Sequence, residues 1–188
     1  MNDLGRLSYY LGMEVQQMKD CIELKESAYT KKILEKAGMQ AFNPNKYPMD
    51  PNEHLTKDEG GKLVDPTEYK SLVGGLRYLV HTCTSRVQLT TAVVYSRDIG
   101  NNMLTGYSNS DFGGQTDDRK STRGMVFYLN DNLITWVSQK QRCVALSSCE
   151  AEFMAGTTSA CQAVWLRNLL SKLTGEDMGP VILYISWA

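Results

Sequence analysis

Residues able to do ionic or metal-binding chemistry gather in the second half of the chain. Asp111 stands two residues after Asn109 in Gly-Tyr-Ser-Asn-Ser-Asp-Phe-Gly-Gly (residues 106–114). In an extended segment the side-chain period of two puts both on one face. Asp117, Asp118, Arg119, Lys120 and Arg123 follow as a charged loop, and Lys140-Gln141-Arg142 is a second, smaller basic cluster. Lys and Arg at a strand edge can position a nucleic-acid backbone through its phosphates. The same residues also suit a solvated turn, and the sequence leaves both readings open. Two further carboxylates, Glu150 and Glu152, lie in Ala-Leu-Ser-Ser-Cys-Glu-Ala-Glu-Phe (residues 145–153). Glu150 is the expected partner of Ser147 in a helix capping box. Glu152, taken alone, is an ordinary helix glutamate.

Composition excludes several other chemistries. The five cysteines are an odd number without a Cys-x-x-Cys pair, and the two histidines, His54 and His81, are isolated. That argues against a disulfide framework or a zinc site and for free thiols in a reducing compartment. A net charge of −1 gives no global field to attract nucleic acid, so any such binding must rest on local patches. The N-terminus lacks the pattern of a secretory signal, and no apolar run reaches transmembrane length. The expectation is an intracellular protein, cytoplasmic or nuclear, with no membrane partner. At 188 residues, 42% hydrophobic and 22% charged, the chain suits one ordinary folded domain or two small ones.

The elements that must position these residues fall into two groups. In the first, residues 7–17 and 21–25 read as two strands joined at Met18-Lys19-Asp20. Ser27 is placed to cap a helix running to Ala37 and ended by Gly38. Residues 43–61, with three prolines, read as an extended loop. Asp65-Pro66-Thr67-Glu68 opens a second helix, with Tyr69, Leu72, Val73, Leu76, Leu79 and Val80 on its apolar face. A further helical segment is expected over 86–96. In the second group, residues 104–108 read as a strand, and 125–129 and 133–137 as a hairpin around Asn130-Asp131-Asn132. The capping box at Ser147 starts a long helix to about Leu173, with Phe153, Ala160, Ala163, Val164, Leu166, Leu169, Leu170 and Leu173 as its apolar face. Gly175 to Pro180 breaks it, and 181–185 reads as a short buried strand. Trp136 and Trp165 fit these patterns as core residues, whereas Trp187 sits too near the terminus to pack.

Several segments together resemble copia-type LTR retrotransposon Pol polyproteins. Asp3-Leu4-Gly5, Tyr10-Leu-Gly-Met-Glu-Val15, Pro48-Met-Asp-Pro-Asn52 and Tyr69-Lys-Ser-Leu-Val-Gly-Gly-Leu-Arg-Tyr-Leu79 are similar to the region that follows the reverse-transcriptase palm. Residues 106–114, 117–124, 145–153 and 181–188 resemble the ribonuclease H region. Thr84-Ser85-Arg86-Val87-Gln88 departs from the family's usual Thr-Arg-Pro-Asp-Ile. The resemblance implies three parts: a reverse-transcriptase thumb or connection remnant (1–98), a junction (99–103) and a truncated ribonuclease H-like domain (104–188). Ile99-Gly100-Asn101-Asn102 reads as the scar of a deletion or splice, with a short natural linker as the alternative. The implied fold class is α/β (α+β): a hairpin-plus-helices segment, then a partial ribonuclease H-like fold of three antiparallel strands, a long helix and one further strand. Such a fragment is expected to expose an apolar edge and face that invite association.

The family's activity is Mg²⁺-dependent cleavage of RNA in RNA–DNA hybrids, in which two divalent ions held by carboxylates activate water and stabilise the oxyanions. Its first carboxylate falls at Asn109, with Asp111 the nearest substitute, and its second at Glu152. The third falls at Ser186 in Leu183-Tyr-Ile-Ser-Trp187, and the fourth lies beyond residue 188. One of the four is retained, so Asp111 and Glu152 are vestigial catalytic and metal-binding candidates, and productive Mg²⁺ binding and hybrid cleavage are expected to be lost. The family's Tyr-Val-Asp-Asp-type polymerase motif would precede residue 1, so polymerase activity is not expected. Arg119, Lys120, Arg123, Lys140 and Arg142 are the candidate nucleic-acid contacts. The alternatives are a domesticated module that binds an RNA–DNA hybrid or an element-encoded polymerase, and a pseudogene product that does not fold. The sequence sets no oligomeric state.

Overall fold

The computed structural model describes residues 5–43, 45, 60–82, 93–96 and 102–186. Most of the loop expected over 43–61, residues 86–92 of the expected third helix, junction residues 99–101 and Trp187 lie outside these. The structure is mixed α/β, with two four-stranded sheets and three helices among the described residues. The chain forms two compact units: Met1–Pro51 with Glu59–Arg97, and Asn52–Asp58 with Asp98–Ala188.

In the first unit, β1 (Tyr9–Tyr10), β2 (Met13–Gln17), β3 (Cys21–Lys25) and β4 (Val93–Ser96) form an antiparallel sheet in that order. The single strand expected over 7–17 is divided by a turn at Leu11 and Gly12, where φ is 49° and 90°. The Tyr78 hydroxyl donates to the Leu11 carbonyl and holds this turn. The helix expected over 86–96 is corrected at its C-terminal end. Val93 to Ser96 is a strand paired with Cys21–Leu24, because β-branched and aromatic residues meet the free side of β3 there.

Helix α1 (Ser27–Lys36) starts one residue earlier than expected. Glu26, not Ser27, is its N-cap, and it makes no side-chain capping bond. Helix α2 (Pro66–Thr82) begins as its capping residues predict: the Asp65 carboxylate accepts from the Thr67 N–H at 2.7 Å. The two helices meet where Gly75 leaves room for Ile33; a Cβ there would come within 2.3 Å of Ile33 Cδ1. Tyr29 and Tyr78 pack edge to face beside it, with centroids 4.8 Å apart. Of the expected α2 face, Leu79 is buried and Tyr69, Leu76 and Val80 are exposed.

The second unit carries the candidate site. Strands β5 (Leu104–Ser110), β6 (Thr122–Leu129), β7 (Asn132–Lys140) and β8 (Ile182–Ile185) form a sheet in the order β7-β6-β5-β8. The first three are antiparallel, and β8 runs parallel to β5 after helix α3 (Ser148–Thr174). Asn130 turns the β6–β7 hairpin at a positive φ of 53°, and its side chain accepts from the Met103 N–H at 2.9 Å at the entry to β5. The pairing shifts between Phe127 and Tyr128, leaving Ile134 as the extra residue of a bulge in β7.

Ser147 caps α3 by accepting from the Glu150 N–H at 3.1 Å, and Gly175 ends the helix in the left-handed region. The Glu150 carboxylate reaches back one residue further than a standard capping box, to the Leu146 N–H at 2.6 Å. The core comprises Leu104, Phe127, Ala163 and Leu166, with Met125, Ile134, Leu170, Val181 and Leu183 packed against it.

The broad apolar face expected on α3 is corrected. Ala163 and Leu166 are buried, but Phe153, Ala160, Val164, Leu169 and Leu173 are exposed. The buried stripe is Ala151, Glu152, Ala155, Gly156, Ser159, Ala163 and Leu166. Trp165 is likewise exposed rather than core, and Trp136 is half-buried. Close approach explains the choice of small residues. Gly156 faces Ile185 at a separation that leaves a Cβ 3.0 Å from its Cδ1, and Gly106 faces Phe127 and Leu183. A Cβ on Gly106 would lie 2.5 Å from the Phe127 ring, which is fully buried. Gly106→Ala is therefore expected to cost about 1–3 kcal/mol through overpacking, read as a lower urea midpoint of tryptophan fluorescence. An unchanged midpoint would show that the ring relaxes freely.

Candidate functional site

Strand β5 presents two different faces. Ser108 lies under α3, where the Ser159 hydroxyl donates to its Oγ at 2.9 Å. Tyr107 and Asn109 point to the opposite, open face and are exposed. There Tyr107 stacks on Tyr184 of β8 with centroids 5.1 Å apart and meets Tyr128 edge to face at 6.1 Å. These three rings line a shallow groove with Thr105 and Val126. The parallel register runs from Tyr107↔Tyr184 to Ser108↔Ile185, and the Ser186 N–H donates to the Ser108 carbonyl at 3.1 Å. Asn109 and Ser186 thus stand side by side on the open face, one an amide and the other a hydroxyl.

Glu152 occupies a different environment. It lies on the buried side of α3, 2% exposed, and neither carboxylate oxygen has a hydrogen-bond partner among the described residues. Sequence reading missed the buried polar residues on the same side. Gln141 Nε2 donates to Ser110 Oγ at 3.0 Å and to the Ala151 carbonyl at 2.9 Å, while its own Oε1 is also unpartnered among the described residues. The available signal was the alternation of Ser108 and Ser110 along β5, which marks one strand face as polar although it is covered.

Asp111 lies just past β5 and is committed to the backbone. Its carboxylate accepts from the Thr122 N–H, and its own N–H donates to the Thr122 carbonyl at 3.1 Å. Gly114 has no Cβ to obstruct it; one there would lie 2.3 Å from Asp111 Oδ2. Asp111 therefore fastens the loop between β5 and β6.

The cations divide. Lys140 pairs with Asp118 at 2.7 Å, and Lys120 approaches the same carboxylate at 4.0 Å. The Lys140 hydrogen bond, helped by the Lys120 backbone and both ammonium charges, holds the Asp118 carboxyl below its ordinary range. Arg123 ties three elements together, donating to Thr158 Oγ1 of α3 at 2.8 Å and to Gln139 Oε1 of β7 at 2.6 Å. Arg119, at a positive φ of 55°, and Arg142 are exposed. Of the five basic candidates, three are engaged within the protein.

Comparison with known proteins gives the chain its relatives. It is 31% identical to the retrovirus-related Pol polyprotein from transposon RE2 of Arabidopsis thaliana, over 95% of its length. It is 30% identical to that from transposon RE1 of the same plant, over 98%. These homologues are copia-type Pol polyproteins. The Pol-related chain spans 14% of the length of each of these two relatives. It is also 27% identical to an uncharacterized mitochondrial protein of Arabidopsis thaliana, covering 88% of this chain and 80% of that protein. No family model matches the chain, and no solved structure matches it.

The donors present do not fit the metal pair that the Pol resemblance implies. Mg²⁺ selects hard, charged oxygen ligands in near-octahedral geometry. Asn109 and Ser186 supply neutral oxygens, one Asp111 oxygen accepts from the Thr122 N–H, and Glu152 is buried on α3. Among the described residues no three His, Cys, Asp or Glu side chains group to hold a metal ion.

Proposed function

We propose that this chain is a retrotransposon Pol-derived segment whose second unit is a ribonuclease H-like scaffold without hybrid-cleaving activity. The order β7-β6-β5-β8, with β8 parallel to β5 after a long helix, supports the scaffold part of this reading. One observation carries the catalytic part. The β5–β8 register, continued one step beyond Ser108↔Ile185, sets Asn109 beside Ser186, and these are the two positions where the resemblance calls for aspartates. Two-metal hydrolysis needs negative charge there to hold the ions against their hydration shells. An amide and a hydroxyl do not supply it.

The test is incubation of the purified chain with a labelled RNA–DNA hybrid in Mg²⁺ and, separately, in Mn²⁺. No cleavage above the protein-free blank is expected. Metal-dependent cleavage that disappears in Glu152→Gln would overturn the reading.

A further inference from the structure

We draw no further inference here: the strongest candidate, the shallow groove lined by Tyr107, Tyr128 and Tyr184 on the open face of the second unit's sheet, carries nothing, because nothing in the structure shows what covers it.

Discussion

Phe127→Ala is expected to remove about 3–5 kcal/mol from the second unit, the usual cost of a large aromatic deleted from a core that cannot collapse. The ring is fully buried, at 0% exposure. It sits against Leu104, Ala163 and Leu166 and over the bare backbone of Gly106, so strand β5 and helix α3 both close on it. Native domains are stable by about 5–15 kcal/mol, so the loss is a large share of the total. The three tryptophans, Trp136, Trp165 and Trp187, all belong to the second unit, so their fluorescence in urea reports on it alone. The midpoint should fall steeply for Phe127→Ala and hardly at all for Phe112→Ala, whose ring is exposed. Equal shifts in the two variants would refute the core described above.

What the sequence disclosed, and what it hid, follows from which residues bear local signals. Capping is local, so Ser147, Glu150, Gly175 and the Asp65-Pro66 pair located the ends of α3 and the start of α2. Strand pairing is not local. Val93 to Ser96 resembles the end of an apolar helix until β3 is seen lying alongside. The inward face of α3 was misread for a related reason. Hydrophobic periodicity gives weight to large residues, whereas a helix lying close over Gly106 and Ser108 selects Ala155, Gly156, Ser159 and Ala163. Phe153, Val164 and Trp165 are then left outside. For the site, the period of two put Asn109 and Asp111 on one face of an extended segment, and both are exposed, Asp111 one residue past β5. It could not show that the Asp111 carboxylate turns to Thr122, nor that Asn109 gains Ser186 as a neighbour from 77 residues away, since that depends on the β5–β8 register. The roles of Arg123 and Lys140 were hidden likewise, because Thr158, Gln139 and Asp118 become their partners only once the chain has folded.

Glu152→Met is expected to stabilise the second unit, by about 1–3 kcal/mol on the scale of an unsatisfied buried polar group. A carboxylate removed from water without a hydrogen bond or counter-charge is among the costliest groups a core can hold. Glu152 is in that position, with both oxygens unpartnered among the described residues. Methionine has similar length and volume and no polar atom to orphan, so the packing is kept while the penalty is removed. Such residues persist where they bind something, and here the companion positions Asn109 and Ser186 offer no charge with which to share a cation. The urea midpoint should therefore rise in Glu152→Met, and Mg²⁺ should leave both proteins unmoved. A midpoint that falls would mean that the carboxylate is satisfied after all. A wild-type midpoint that climbs with Mg²⁺ while that of Glu152→Met stays fixed would mean that a cation is what satisfies it, because a ligand that binds only the folded state raises stability by mass action. That outcome would show that the position of the family's second carboxylate still holds a cation, a test of the metal site that is independent of any cleavage assay.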